Sequence, residues 1–218
     1  MRSLIVIPAL LLLAACNTRP ATTAGLGKEV PLQARAGDVG GDTLVYRAPN
    51  VDARKYRGIY VAPADIYTGN DADWGGTDMA TRQRVAAFLT GEFRRVLRAH
   101  GRMVLDAPTA SSVTLQLTLA GITSTRGVAA TALKLTPVGL GITLAKSAAD
   151  LPASFTGSIT VSGKLLDSGT HAILAGFVSR ESPTAIDPRT IGGTEETARL
   201  AATKGAESFA DGLDKATR

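Results

Sequence analysis

Residues 113–119 read Val-Thr-Leu-Gln-Leu-Thr-Leu, with an apolar side chain at every second position. Successive side chains of a β-strand point to opposite faces, so this period of two predicts a strand with one buried and one polar face. A similar alternation runs through residues 155–165, and residues 173–178 are apolar on both faces, as in a strand inside a sheet. Residues 167–169, Asp-Ser-Gly, predict the turn of a hairpin between these two strands.

Two helices are predicted outside these strands. The first runs from Thr77, a candidate N-cap, to Gly101, a candidate C-terminal stop, and the second begins at Thr194. The apolar stripe of the first helix consists of Val85, Leu89, Phe93, Val96 and Leu97. The stripe of the second consists of Ala198, Ala202, Ala206, Phe209 and Leu213. Residues 57–62 and 102–105 predict two short strands, one on each side of the first helix.

This order of elements predicts an α+β fold. We expect a two-layer sandwich in which a mostly antiparallel sheet of about five strands carries two or three helices on one face. Because the outward strand positions are Thr and Ser, the other face is expected to meet water. Residues 43–218 show no internal repeat and are predicted to form a single domain.

The amino terminus predicts a secretion signal. A basic lead, residues 1–3, precedes an apolar stretch that ends at Ala15, directly before Cys16, the only cysteine. The apolar residues 4–15 are too few for a membrane span, which needs about 20. Residues 13–16, Leu-Ala-Ala-Cys, resemble the lipobox of bacterial lipoproteins, where the signal is removed and the cysteine receives fatty acyl chains such as palmitate. We therefore expect removal of residues 1–15 and lipidation of Cys16. The alternative is an ordinary secretory signal with an incidental cysteine.

The residues after the lipobox predict a leash. Residues 16–42 are rich in Thr, Ala, Gly and Pro and have no hydrophobic periodicity, which is typical of a flexible tether. In Gram-negative lipoproteins an aspartate after the cysteine favours retention at the inner membrane, whereas this chain has Asn17. By that resemblance we expect a protein anchored through Cys16 to the periplasmic face of the outer membrane.

Composition and motifs exclude several classes of function. A net charge of +5 and 44% hydrophobic residues indicate a mildly basic globular protein. One cysteine and two histidines argue against a metal site built from Cys or His, and no metal or cofactor is predicted. Residues 157–164 contain a Gly-to-Gly-Lys spacing one residue too long for a phosphate loop, so no nucleotide is expected. No aromatic and basic interleaving suggests nucleic acid. His100 and His171 lie at predicted helix and hairpin ends, so we expect no enzyme.

Several loose motifs together resemble a known family. Residues 46–49 read Tyr-Arg-Ala-Pro, residues 56–63 read Tyr-Arg-Gly-Ile-Tyr-Val-Ala-Pro, Trp74 precedes the first helix, and residues 166–169 read Leu-Asp-Ser-Gly. With the lipobox and the tether, this combination resembles the uncharacterised Gram-negative lipoprotein family known as domain of unknown function 3313. The resemblance covers essentially the whole mature chain. It implies an envelope location and brings no catalytic or ligand residues.

Two sets of residues are candidates for contact with an envelope protein or an anionic lipid. A wedge on the first helix, continued beyond it, consists of Arg84, Arg94, Arg95, Arg98 and Arg102. An apolar set between glycines consists of Val138, Leu140, Ile142 and Leu144. The simpler alternatives are a solvated helix face and a segment that covers the sheet. The resulting hypothesis is a non-catalytic periplasmic binding or envelope-assembly module. The alternative hypothesis is a lipid or lipopolysaccharide transport accessory lipoprotein, which requires an apolar cavity.

Overall fold

The computed structural model describes residues 24–27, 30–34, 43–123, 157–183 and 193–216. These residues form eight strands and two long helices. The strands are β1 (Gln33–Ala34), β2 (Thr43–Arg47), β3 (Gly58–Val61), β4 (Asp65–Ile66), β5 (Val104–Leu105), β6 (Ser112–Thr123), β7 (Ser158–Asp167) and β8 (Ile173–Glu181). The helices are α1 (Met79–Ala99) and α2 (Thr194–Ala216). Neither of these helices combines the length and the apolarity that crossing a membrane requires.

The predicted α+β class is confirmed, but the sheet is mixed. Its described strands follow the order β1-β2-β8-β7-β6-β3-β5, with β4 paired to β6. The first five strands in this spatial order, β1, β2, β8, β7 and β6, are each antiparallel to their neighbours among these five. The strand β3, in contrast, runs parallel to both β5 and β6. The prediction of a mostly antiparallel sheet of about five strands is therefore wrong in this detail. The parallel pairing arises because α1 connects β3 to β5. A helix between two strands returns the chain to the end of the sheet where the first strand began, so that the two strands pair in parallel.

The strand with the clearest alternation, β6, lies inside the sheet between β7 and β3 and contributes to the core. Leu115, Leu117 and Leu119 are completely buried beneath the helices. A bulge between β6 and β7 after Leu119 shifts the register, and Ile122 then points into the same core. Both β6 and β8 extend further along the sequence than their periodicity predicts, since hydrogen-bonded neighbours stabilise strand ends that are polar.

The helix α1 has an apolar stripe that packs on the sheet as predicted. Its buried residues include Val85, Leu89, Phe93, Val96 and Leu97. The N-cap is Asp78, one residue after the predicted Thr77, and its carboxylate accepts from the Thr81 amide at 2.7 Å. A carboxylate near the positive end of a helix is favourable, which agrees with the lowered pKa of Asp78 caused by its bonds to Thr81.

The second face of the sheet is covered in part, and this corrects two expectations. Ala24, Leu26 and Val30 are buried against Ala120 and Val178 on the face away from the helices. The partly buried residues that pack around them are Leu32, Tyr46, Tyr67 and Ile173. Residues 24–27 and 30–34 therefore pack against the sheet and do not form part of a flexible tether. Contrary to expectation, the second face of the sheet is also not exposed to water over its whole area. The burial of these three apolar side chains, which show no periodicity in the sequence, places the segment against the sheet. The rest of the expected tether, Cys16 included, lies outside the described residues.

Candidate ligand-binding groove

A groove opens on the helix-bearing face, where α2 passes beside the outer strands β2 and β8. It encloses about 410 Å³. Its walls are mainly apolar, and they include Val45, Leu165, Leu174, Phe177, Phe209 and Leu213. Ligand pockets in proteins typically have about 300–1,000 Å³ and a predominantly apolar lining. The volume and the lining of this groove are thus those of a small-molecule site.

Small residues on the facing elements leave this space open. Along α2 the groove is lined by Gly205, Ser208 and Gly212, and along β8 by Ala175. A Cβ atom added at Gly212 would have no heavy atom within 4 Å, so the space beside this part of the helix is empty. The groove therefore results from side-chain size on α2, which the apolar periodicity of the sequence does not report.

Aromatic rings form the boundary between the groove and the core. The ring of Phe209 lies 5.5 Å from that of Phe177 and 5.6 Å from that of Phe93, in tilted arrangements that favour ring contacts. Phe177 packs directly over Gly163 of β7, where an added Cβ would come within 2.3 Å of the ring. Glycine at this position is what allows the Phe177 ring to lie down on the sheet. The rings give the groove an apolar inner wall.

One end of the groove is acidic and hydroxylated. Glu181, at the end of β8, accepts a hydrogen bond from Ser179 Oγ at 2.5 Å, and Ser179 Oγ lies 3.1 Å from Thr43 Oγ1 of β2. All three residues line the groove, and the space for a side chain at Gly205 is limited by Glu181, 3.2 Å from an added Cβ. This end is polar and tightly packed.

The other end is open and basic. Arg47 ends β2, lines the groove and is exposed, and Val51, another lining residue, is 41% exposed. Arg54 follows in a single 3-10 turn, Ala53–Lys55, whose first residue also lines the groove. Among the described residues, no ion pair or hydrogen bond is made by the side chain of Arg47 or Arg54, whereas the backbone amide of Arg54 donates to the Asp52 carboxylate at 3.1 Å. An apolar channel with a basic residue at its open mouth is suited to a molecule with an apolar body and an anionic end.

A hydrogen-bonded pair fixes the chain next to this mouth. The Tyr56 hydroxyl donates to Asp167 Oδ2 at 2.9 Å, and Asp167 Oδ1 accepts from the amides of Gly169 and Thr170 in the β7–β8 turn. These amide bonds, first that from Thr170, and the Tyr56 bond lower the pKa of Asp167 to about 2. Burial, together with the Asp167 bond, raises the pKa of Tyr56 to about 12. The predicted turn at residues 167–169 is confirmed. The carboxylate of Asp167 in this turn also binds Tyr56, two residues before β3 begins.

The predicted arginine wedge does not form one free surface. At one edge Arg84 donates to Glu195 of α2 at 2.9 Å, and Arg95 binds Glu92 at 2.8 Å. At the other edge Arg94 donates to the Val61 carbonyl of β3 at 2.6 Å. Arg102 donates to Asp214 of α2 at 2.5 Å, and Arg98 is exposed. The same bonds with Arg84 and Arg95 hold the pKa of Glu195 and Glu92 below their usual range.

The other predicted contact residues, Val138, Leu140, Ile142 and Leu144, lie outside the described residues. The groove residues were not singled out from the sequence. Arg47 belongs to one of the motifs quoted above, but a lone arginine in a loose motif points to no chemistry. The sequence signal that could have indicated the groove is the pair of glycines at positions 205 and 212 of α2. Glycine in a helix interior is unfavourable, so its presence there indicates a packing or functional requirement.

The histidines lie at structural positions. His100 Nδ1 lies 2.8 Å from Asp214 Oδ2, at the junction of the two helix ends, and His171 lies in the β7–β8 turn with a positive φ of 61°. Within the described ranges, neither imidazole makes a hydrogen bond to a serine. His100, Asp211 and Asp214 could bring one ligand atom each within 4.8 Å, but the Arg102 guanidinium already binds Asp214 there and would repel a cation.

Comparison with protein families identifies one match. The model of a family described as protein of unknown function (DUF3313) matches residues 23–209. No protein with a curated description matches the chain.

Distant similarity to solved structures extends over most of the chain. The PelC dodecamer from Paraburkholderia phytofirmans is 11% identical, covers 77% of this chain and 96% of its own, and has a TM-score of 0.43. A protein from Xanthomonas campestris of the family DUF330 is 12% identical, covers 76% of this chain and 94% of its own, and has a TM-score of 0.40.

Proposed function

This chain belongs to the family DUF3313, a family of proteins of unknown function, and we propose that it is a non-catalytic binding module whose groove takes up an apolar ligand. In this proposal a lipid on Cys16 anchors it to the periplasmic face of the outer membrane. The family match over residues 23–209 confirms the family that the sequence motifs indicated, as a family of proteins of unknown function. Of the hypotheses drawn from the sequence, the proposal keeps the non-catalytic periplasmic binding module, and it favours the transport accessory lipoprotein with an apolar cavity over the envelope-assembly module.

The groove of about 410 Å³ between α2 and the strands β2 and β8 is the observation that carries this proposal. An apolar surface left open to water costs about 25 cal/mol per Å² relative to a covered one, so a ligand that displaces water from it gains that free energy. The lining offers few polar groups: most lie at the two ends, and Ser208 lies on α2 between them. This arrangement supports binding of an elongated apolar molecule and gives no support to a reaction along its length.

The two histidines, the candidate general bases named from the sequence, lie away from the groove. General-base catalysis needs a base within hydrogen-bond reach of the group that it activates. His100 is held by Asp214 at the far ends of the helices, and neither histidine lines the groove. We therefore propose that the groove holds its ligand unchanged.

An assembly role through the arginine wedge receives less support. Four of its five arginines already bind groups of this chain, and an arginine that binds a partner must first give up those bonds. Only Arg98 of the five has no bond to another described side chain or carbonyl.

The groove proposal is tested by isolating the native protein from membranes and identifying the non-covalently bound lipids by native mass spectrometry. We expect bound apolar molecules in the wild type and fewer in Gly212→Leu, because a leucine side chain at this position enters the empty space. Gly91→Leu is the matched control, since Gly91 lies on the exposed side of α1, also with no atom within 4 Å of an added Cβ. Equal lipid content in both variants would contradict the proposal.

The anchor is tested separately by labelling cells with radioactive palmitate. We expect label in the wild type and none in Cys16→Ser, because Cys16 is the only sulfur nucleophile of the chain apart from the methionine thioethers. Label that survives the substitution, or no label in either protein, would contradict the proposed anchoring.

A further inference from the structure

We infer that the ligand of the groove is a single-chain anionic amphiphile, specifically a fatty acid whose carboxylate meets Arg47 and whose alkyl chain lies between α2 and β8. This inference rests on the proposed function and adds the chemical class and the orientation of the ligand. It is argued from the asymmetry of charge along the groove.

The charged groups lie at opposite ends of the groove. Arg47 pairs with Ala175 near the beginning of β8, whereas Glu181 is the last residue of that strand. At a strand rise of about 3.3 Å per residue, these ends are about 20 Å apart. A carboxylate is attracted to the Arg47 end, so an anionic amphiphile places its headgroup there and its chain toward the opposite end of the groove.

The basic end is also the accessible end. Arg47, Arg54 and Val51 are all exposed, and the two arginines have no ion-pair partner among the described residues. Arginine presents parallel N–H donors that match the two oxygens of a carboxylate. A headgroup here stays in contact with water, and its desolvation cost is small compared with that of a buried ion pair.

The interior of the groove suits an alkyl chain. Between the two ends the lining consists of apolar and small side chains, among them Ala175, Phe177, Phe209 and Leu213. Each methylene group removed from water contributes about 0.8 kcal/mol, so a chain of several methylenes supplies most of the affinity and the carboxylate supplies the orientation. A neutral alcohol of equal length has the same chain without the charge, and is therefore the natural comparison.

The test is photocrosslinking on the native lipoprotein in nanodiscs of zwitterionic phosphatidylcholine. Dodecanoate with a diazirine at the end of its chain is added, and crosslinked peptides are identified by mass spectrometry. We expect crosslinks on the segments 173–181 and 202–213, which form the two walls. Competition with unlabelled dodecanoate and with dodecanol, corrected for partitioning into empty nanodiscs, then compares the anionic and the neutral ligand.

Dodecanoate should compete at about two- to fivefold lower free concentration than dodecanol, which is the range for an exposed ion pair. Arg47→Ser should remove this preference and leave the alcohol unaffected, and Arg54→Ser should reduce it. Arg98→Ser is the matched control, because Arg98 is exposed on α1 and does not line the groove. Gly212→Leu should weaken both ligands about tenfold relative to Gly91→Leu, as if two methylenes could no longer enter.

The outcomes separate the two levels of the proposal. Groove crosslinks with equal competition by acid and alcohol would overturn the fatty-acid inference and leave an apolar binding groove. Crosslinks that fall elsewhere, or none above the level in empty nanodiscs, would overturn both. Because the crosslink map is obtained on the wild type, the result does not depend on whether the Gly212→Leu variant folds.

Discussion

The two sides of α2 differ although both are built from small residues. On the side that belongs to the core, Ala198, Ala201, Ala206 and Ala210 are at most 1% exposed and let the helix approach the sheet and α1 closely. On the side toward β8 and β2, Gly205 and Gly212 border a groove of about 410 Å³. Small side chains therefore close one interface and open another, depending on whether the facing element fills the space. Four predictions can break or sharpen this comparison.

The largest effect is expected from shortening a side chain in the closed region. Leu117→Ala should lower the free energy of unfolding by about 2–5 kcal/mol, because Leu117 is fully buried and the cavity cannot collapse. Leu174→Ala, on the half-exposed groove wall, should lower it by less than about 2 kcal/mol. Urea unfolding followed by circular dichroism measures both. Equal losses would mean that the groove is as closed in solution as the core.

The next effect comes from enlarging a small residue on each side of α2. Ala201→Leu should destabilise the protein by about 1–3 kcal/mol through overpacking. Gly212→Leu should instead stabilise it by up to about 1 kcal/mol, since leucine favours helix and meets empty space. Thermal unfolding of the two variants, with Gly91→Leu as reference, distinguishes them. Destabilisation by Gly212→Leu would show that the groove is filled in the free protein.

A smaller effect concerns the bond that fixes the chain beside the groove mouth. The pKa of Asp167, lowered from 3.8 to about 2, means that its stabilising contribution is complete above pH 4 and is lost as the pH falls toward 2. The pKa of Tyr56, raised from 10.0 to about 12, means that its contribution is lost as the pH rises from 10 toward 12. Asp167→Asn should flatten the acid limb of a stability–pH curve and Tyr56→Phe the alkaline limb. Unchanged limbs would show that this pair does not bear on stability.

The smallest effect is expected from the exposed clamp between the two helices. Arg84→Ala removes the ion pair with Glu195, in which the arginine side chain is 52% exposed. The midpoint of unfolding should fall slightly at low salt, and the difference from wild type should vanish at 1 M salt because exposed ion pairs are screened. Arg98→Ala, without a bonded partner among the described residues, should have no effect at either salt concentration. A salt-independent loss in Arg84→Ala would mean that packing, not charge, joins the helices at this point.

Much of the fold followed from local patterns. The alternation in residues 113–119 located β6, the helical spacing located α1, and Asp-Ser-Gly located the hairpin turn. The alanine stripe that predicts α2 also indicates which of its sides is buried. These patterns suffice because the side-chain period of a strand or helix is a property of the chain itself.

Three features depended on contacts between distant residues. The pairing of β3 with β5 and β6 made the sheet mixed, and the seating of Ala24, Leu26 and Val30 covered part of the second face. The groove is the third, and it includes residues from β2, β7, β8 and both helices.

The sequence by itself determined the class of fold and the buried faces of the two helices, because periodicity is a local property of the chain, and its motifs indicated the family. Only the tertiary structure decided where small side chains meet each other and leave space, and that Arg47, at one end of that space, has no ion-pair partner within the part of the chain that the structure describes. Empty volume belongs to no single segment: it arises when elements far apart in the chain are held at a separation that their side chains do not fill.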